Sequence, residues 1–280
     1  MRVIRSPQNT TIKRLVSMRN HRRRRAAGIA LVDGPREAWR AIQAGWKLLG
    51  FYEPIDSSSD PPNRVGSNSL IESQRVRDHA IDQDVHFGVE AGVFEKIAYG
   101  DVDHGGLAEF ETPSRSLSDL PNDLSGLVVV LDRVEKPGNI GAVFRTADAV
   151  GAAAILLSDC PGDVMNPNAI RGSVGAVFTV PYANGSMGEV SDWLRRKPYR
   201  MLAMRVEANR SAFEHDLTGD VAVILGSEAD GLGDRWRHFG ATDVDGMVIP
   251  MVGDVDSLNL SVSAAVIAFE SLRQRSILPE

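Results

Sequence analysis

The sequence predicts an α/β protein in which a mostly parallel sheet fills the C-terminal half and a smaller α/β domain precedes it. Three observations carry that expectation. Continuous apolar runs recur at LVVVLD (127–132), AAAILL (152–157), VGAVFTVPY (174–182), RMLAMRV (200–206), VAVILG (221–226) and GMVIP (246–250), as strands covered on both faces require. Helical stretches separate several of them, the alternation that builds parallel sheets. Ahead of them, the polar stretch ETPSRSLSDLPNDLSG (111–126) marks a change of character. A chain of 280 residues, 43% hydrophobic and 24% charged, is long enough for two real cores and has the balance of a soluble globular protein.

From the N-terminus, TTIKRLVSMRNHRRRRAAG reads as a short basic helix running into an arginine cluster. Residues 1–25 hold Arg2, Arg5, Lys13, Arg14, Arg19 and Arg22 to Arg25 without one Asp or Glu, although the net charge of the chain is −6. Such asymmetry, more than net charge, says where a polyanion lands. The expectation is a basic helical arm over 1–25 whose Arg14, Arg22, Arg23, Arg24 and Arg25 touch phosphates; the alternative is a solvated helix face. Arginine suits phosphate because its planar fork holds oxygens in pairs.

IALVDG then reads as a buried strand, PREAWRAIQAGW as a helix with proline near its start, and KLLGFYEP as a second strand. Trp39, Ile42 and Trp46 recur at near-helical spacing and are expected in the core. PIDSSSDPPNRVGSNSL (54–70) is a Pro/Gly/Ser-rich loop. Apolar periodicity resumes after it and completes a small domain over 26–115, joined by a linker at 116–126 to a domain spanning 127–280.

Composition excludes several classes. The single cysteine, Cys160, rules out an intramolecular disulfide and a cysteine-rich zinc site, and no metal site is expected. No apolar stretch follows the basic N-terminal residues as in a signal peptide, and none is long enough to span a bilayer, so a cytoplasmic home is expected. A dinucleotide site wants G-x-G-x-x-G after the first strand, and PGNIGAVFRTADAVGA has the wrong glycine spacing. The phosphate-loop signature and H-E-x-x-H are both absent.

Ligands of open α/β sheets bind beyond the carboxyl ends of the strands, and three segments fall there. In DRVEKPGNIGAVFRTADAVG (132–151), PGNIG reads as a tight turn and AVFRTADAVG as a helix with Arg145 near its start. Asn139 offers both donor and acceptor, Arg145 donors only. In LGSEADGLG (225–233), Gly226 permits close backbone approach, and Glu228 either accepts from a ligand, orients Arg145 or caps a turn. In IPMVGDVDSLNLSVSAAVIAFE (249–270), Ile249 and Leu258 present backbone beside apolar walls, Ser257 and Asn259 hold loop or substrate geometry, and a packed helix follows; helix capping is the plainer role for Ser257.

Taken in order, these segments closely resemble the motifs of the SpoU/TrmH group of the SPOUT RNA 2'-O-ribose methyltransferases. The first motif is matched by Asp132, Asn139, Gly141, Arg145, Ala147 and Asp148. The second is matched by Gly226 to Leu232, and the third by Ile249 to Gly253 with Ser257 to Ser261, Ala264 and Ala265. The N-terminal part, KRLVSMRNHRRRRAAGIALVDGPREAWRAIQAG, resembles more loosely an L30e-like RNA-binding domain, with Asp33 where that pattern usually has Glu. The resemblance implies a SPOUT trefoil-knotted parallel-sheet domain behind a smaller L30e-like α/β domain, and a homodimer with its active sites close to the subunit interface. It implies S-adenosylmethionine held by Leu225, Gly226, Ile249, Met251 and Leu258, and a catalytic neighbourhood of Asn139, Arg145, Glu228, Ser257 and Asn259. Arg145 is expected against Glu228 or Asn139. Arg171, in NPNAIRGSVGAVF, resembles a family arginine that either contacts RNA or supports its loop.

The implied activity is methyl transfer to a ribose 2'-hydroxyl of structured RNA. The leading N-terminal domain favours ribosomal RNA. The alternatives are a tRNA 2'-O-methyltransferase, a base methyltransferase, and a non-catalytic RNA-binding or ribosome-assembly protein.

Overall fold

The computed structural model describes residues 2–55, 67–99, 105–239 and 242–277. Its elements follow in order: β1 (Arg2–Ile4), α1 (Thr10–Ser17), α2 (His21–Ala27), β2 (Ile29–Asp33), α3 (Pro35–Gln43), β3 (Leu48–Ile55), α4 (Ser67–Asp82), β4 (His86–Glu90), α5 (Ala91–Phe94) and β5 (Leu107–Glu111). Then come β6 (Leu127–Asp132), α6 (Pro137–Val150), β7 (Ala154–Ser158), α7 (Pro167–Gly172), β8 (Tyr182–Gly185), α8 (Met187–Arg196), β9 (Arg200–Met204) and β10 (Val221–Leu225). Last are β11 (His238–Phe239), β12 (Thr242–Asp243), β13 (Asp245–Met247) and α9 (Leu260–Ile277). The chain divides into two compact units, Met1–Pro113 with Met165–Thr179, and Ser114–Val164 with Val180–Glu280.

The first unit is built on a mixed sheet in the order β1-β4-β3-β5-β2, with β5 antiparallel to both β2 and β3. The expected basic helical arm is part of this unit. Ile12 and Leu15 of α1 are buried with Leu31, Tyr52 and Leu107, and Asn20 ends the break between α1 and α2 by capping α2. The arginine run is thus a helix in its own right, and Gly28 in the left-handed region closes it. Of the residues expected in the core here, Trp46 is buried while Trp39 and Ile42 are only half-buried; the buried positions of α3 include the small Ala38 and Ala41. The polar stretch at 54–70 lies outside the described residues over 56–66, and α4 takes up its last residues from Ser67.

Met165–Thr179 differs from expectation, since the sequence places it within the C-terminal domain. The run VGAVFTVPY is not one strand. Ala176–Phe178 is a short 3-10 turn, and Phe178 packs edge-on against Trp46 at 4.9 Å between ring centres. Trp46 Nε1 donates to the Phe178 carbonyl at 3.3 Å, and Arg40 donates to the Val174 carbonyl at 3.1 Å. Pro181 precedes the strand that does form, β8.

The second unit carries a six-stranded all-parallel sheet in the order β13-β9-β10-β6-β7-β8. The central strands β6, β7 and β10 are buried at every residue, which is why they read as unbroken apolar runs. The chain builds outward from β6 through β7 to β8, then crosses to lay β9 and β10 on the other side. A switch point therefore lies between β6 and β10, where the loops beyond their carboxyl ends part. The expected linker packs on this unit: Leu120 joins its core and the Arg115 carbonyl accepts from Asn184 N at 2.7 Å. PGNIG is not a turn. α6 starts at Pro137, which tolerates the first helical position because its missing N–H has no partner there.

Arg14 illustrates what the basic N-terminus does inside the first unit. Its guanidinium pairs with Glu109 through both nitrogens, Nη2 at 2.7 Å from Oε2, and Tyr52 donates to the same carboxylate at 3.1 Å. Glu109 is 1% exposed. Its hydrogen bond to Arg14 holds that guanidinium above its ordinary value, and burial, then the carboxylate's charge, raises the Tyr52 phenol. Arg14→Ala leaves a buried carboxylate with Tyr52 alone, so urea unfolding should show a loss of about 3 kcal/mol, and Arg14→Ala/Glu109→Gln should recover part of it.

Candidate active site

A cavity of about 900 Å³ opens beyond the carboxyl ends of β6, β9, β10 and β13, at the switch point of the parallel sheet. Leu225, Ile249, Met251 and Leu258 give it apolar walls. Its charged lining holds four carboxylates, Glu207, Glu228, Asp230 and Asp256, against two cations, Lys136 and Arg205. The excess of carboxylate suits a ligand carrying positive charge.

Gly226 sets the width of this cavity. A side chain there would run into the carbonyl of Gly231 and the amide of Leu232. The loop 226–233 folds back on its own entry so closely that backbone meets backbone, and an isolated bridge between Ser227 and Gly231 marks the approach.

Below the loop, Arg235 anchors it to the strand ends. Its guanidinium donates to Asp132 at 2.8 and 2.9 Å and to Asp159 at 2.6 Å. Asp132 is fully buried and also accepts from Ser158 Oγ at 2.7 Å. Burial alone would raise its carboxyl, but the hydrogen bonds from Arg235 and Ser158 and the charge of Arg235 hold it below the ordinary carboxylate value. Arg205 supports the loop from the β9 side, donating to the carbonyls of Gly233, at 2.7 Å, and Arg235.

Three side chains from three separate segments form a relay at the cavity edge. Asn259 Oδ1 accepts from Ser261 N at 2.9 Å and Ser261 Oγ at 2.6 Å, which caps α9. That fixes the amide, so Asn259 Nδ2 faces Asn139 Oδ1 at 3.3 Å. Asn139 Nδ2 in turn donates to Glu228 Oε1 at 2.5 Å. Donors run one way along the relay and end on a carboxylate, which accepts at both oxygens when ionised.

All five residues expected to hold the methyl donor line the cavity, as do Glu228, Ser257 and Asn259. Asn139 reaches it through Glu228. Arg145 does not fit the expected place. With α6 beginning at Pro137, Arg145 is mid-helix rather than near its start, six positions beyond Asn139. That is about 9 Å along the axis and about 240° around it, so Asn139 rather than Arg145 meets Glu228. Arg145 is exposed and makes no hydrogen bond or ion pair among the described residues. The capping role expected as the plainer one for Ser257 belongs to Asn259.

Of the expected RNA contacts, Arg22, Arg23 and Arg25 are exposed on α2, whereas Arg14 is committed to Glu109 and Arg24 is buried, donating to the Met18 carbonyl at 2.9 Å. Arg171 donates to Asp33, Asn168 and the Tyr99 carbonyl. The sequence reading missed Lys136, Arg205 and Arg235. The first two follow strand ends, where the crevice rule points; Arg235 carries no local pattern that marks it.

The family model for the SpoU rRNA methylase family matches residues 126–269. The chain belongs to this family. A 23S rRNA (uridine(2479)-2'-O)-methyltransferase of Streptomyces viridochromogenes is 31% identical over 91% of this chain and 86% of its own length. A solved RNA 2'-O ribose methyltransferase is 33% identical with a TM-score of 0.78, covering 98% of this chain and all of that one. The SpoU methyltransferase AviRb of S. viridochromogenes, solved with AdoMet, is 25% identical with a TM-score of 0.79 over 96% of this chain and 99% of that one. The parallel sheet of the second unit is the SPOUT-like knot region, and the mixed sheet is separate from it.

The Asp132–Arg235 pair predicts an acid-sensitive term in stability. A carboxylate held low in the folded state contributes fully above its unfolded value, near 4, and loses that contribution as pH falls through the folded value. Urea midpoints of the wild type and Asp132→Asn should therefore differ at about pH 7 and draw together as the pH is taken below the ordinary carboxylate range.

Proposed function

We propose that the chain transfers a methyl group from S-adenosylmethionine to a ribose 2'-hydroxyl of ribosomal RNA. The observation that carries this reading is the relay from Asn259 through Asn139 to Glu228, set at the edge of a cavity whose charged lining is mostly carboxylate. The methyl donor supplies an electrophilic methyl on a sulfonium. The apolar walls at Leu225, Ile249, Met251 and Leu258 suit its adenine, and the surrounding carboxylates suit its positive charge.

The protein's own part is alignment and charge control. The relay holds one oxygen of Glu228 on Asn139, and the carboxylate lines the cavity. Ser257 and Asn259 position the loop through which the ribose approaches. Arg145, exposed on α6 and apart from the relay, offers donors only, and its assigned role is to meet oxygen charge developing on the ribose or the adjoining phosphate of an RNA that reaches that face. The proton itself leaves to a carboxylate or phosphate oxygen.

Two features support a homodimer: the family resemblance, and the exposed apolar side chains of Val262 and Phe269 on α9. No described helix is long and apolar enough to cross a membrane, and no described cluster of His, Cys, Asp and Glu could hold a metal ion.

Labelled methyl from S-adenosylmethionine, offered separately to ribosomal RNA and to tRNA, should appear as a 2'-O-methyl nucleoside from ribosomal RNA only. Arg145→Ala should lower single-turnover transfer by about a hundredfold or more. Label in tRNA alone overturns the substrate, and label on a base overturns the chemistry.

A further inference from the structure

A second hollow, of about 310 Å³, lies in the first unit where α2 meets α7, far in sequence from the methyl-donor cavity. Its lining is polar, with Asn20, His21 and Arg19 from the N-terminal segment and Asn166, Asn168 and Arg171 from the second half of the chain. Arg24 lies beneath, 2% exposed.

The hydrogen bonding leaves this hollow rich in donors and poor in acceptors. Asn20 Oδ1 accepts from Arg22 N at 3.0 Å, Asn166 Oδ1 from Asn168 N at 2.9 Å, and Asn168 Oδ1 from Arg171 Nη2 at 2.9 Å. Each amide oxygen is thus turned toward a donor of the protein, which orients the amide and leaves its NH₂ group over for a ligand. The arginines are also held in place. Arg19 donates to the Ala98 carbonyl and lies over the Tyr99 ring at 5.4 Å. Arg171 is fixed by Asp33 at 3.2 Å and the Tyr99 carbonyl at 3.1 Å. Asp33 is buried behind Arg171, where it orients the guanidinium and neutralises one charge. Arg19 is anchored by a carbonyl rather than a carboxylate, so its charge stays available.

A ligand that answers amide and guanidinium donors with oxygens alone is an anion with several acceptors. We propose that this hollow binds a backbone phosphate of the RNA substrate, away from the nucleotide that is methylated. The proposal rests on the reading that the chain acts on ribosomal RNA. Arg22, Arg23 and Arg25, exposed along α2, extend the positive surface from the hollow. The interface so formed recognises backbone and shape rather than base edges.

The test exploits the capping role of the two asparagines. Asn20→Asp/Asn166→Asp keeps both caps, because Asp caps as well as Asn, while each amide donor becomes a carboxylate oxygen. Asn20→Ser/Asn166→Ser keeps the caps and removes the donors without adding charge. Filter binding of end-labelled 23S ribosomal RNA made by transcription would be measured across a salt series, beside calorimetric binding of S-adenosylmethionine. The Asp pair should weaken RNA binding by about tenfold or more and lower the salt slope by about 1. The Ser pair should weaken it by about threefold, and methyl-donor affinity should not change in either. RNA affinity within twofold of wild type for both pairs overturns the proposal. A wild type that binds RNA through these residues yet transfers no methyl sinks the proposed function and leaves the hollow standing. Methyl transfer with unaltered RNA binding in the variants does the reverse.

Discussion

The close approach of backbone to backbone at Gly226 is the constraint on which the site depends. Where β10 ends, the chain must turn back so tightly that residues 231 and 232 pass within van der Waals range of Gly226, and no side chain fits between them. Because the loop lies that close, its Glu228 faces Asn139 from α6, and the apolar walls from β10 and the 249–258 segment enclose one cavity. A looser turn would leave the same residues in the sequence and no relay between them. Arg235 and Arg205 then fix the loop from two sides, one through the buried Asp132 and one through backbone carbonyls.

The second unit was legible because one pattern in it is unambiguous. Strands buried on both faces, such as Leu127–Asp132 and Val221–Leu225, write themselves as unbroken apolar runs, and their carboxyl ends locate the crevice. The three motif segments fall at those ends, and their resemblance to the SpoU/TrmH motifs, rather than the apolar runs themselves, is what named the residues lining the cavity. What failed was local. PGNIG has turn residues, yet proline at the first helical position made it the opening turn of α6, and that shift moved Arg145 from the helix start to its middle. The run VGAVFTVPY is apolar enough for a strand, but its Phe178 is taken by Trp46 from a segment more than a hundred residues earlier. No window of sequence carries that partner.

Charge was the least legible property. The arginines of residues 1–25 look equivalent in the sequence, but the fold gives them separate tasks. Arg14 neutralises a buried carboxylate and Arg24 is buried with its head on a backbone carbonyl, whereas Arg22, Arg23 and Arg25 face solvent. A basic segment thus spends part of its charge on building the unit that presents the rest. The same holds for asparagine: Asn259 and Asn20 each use their oxygen to cap a helix, which decides the direction in which their donors point.

The measurement that tests the account most directly is calorimetric titration of S-adenosylmethionine into the wild type and Gly226→Ala, with urea unfolding of both to verify a cooperative fold. The account predicts binding at one site per chain for the wild type. It predicts at least about a tenfold loss for the variant, since an alanine methyl at this position must push the 231–232 backbone outward and open the cavity wall. Equal affinity in the two proteins, or a folded wild type that does not bind the methyl donor, would contradict it.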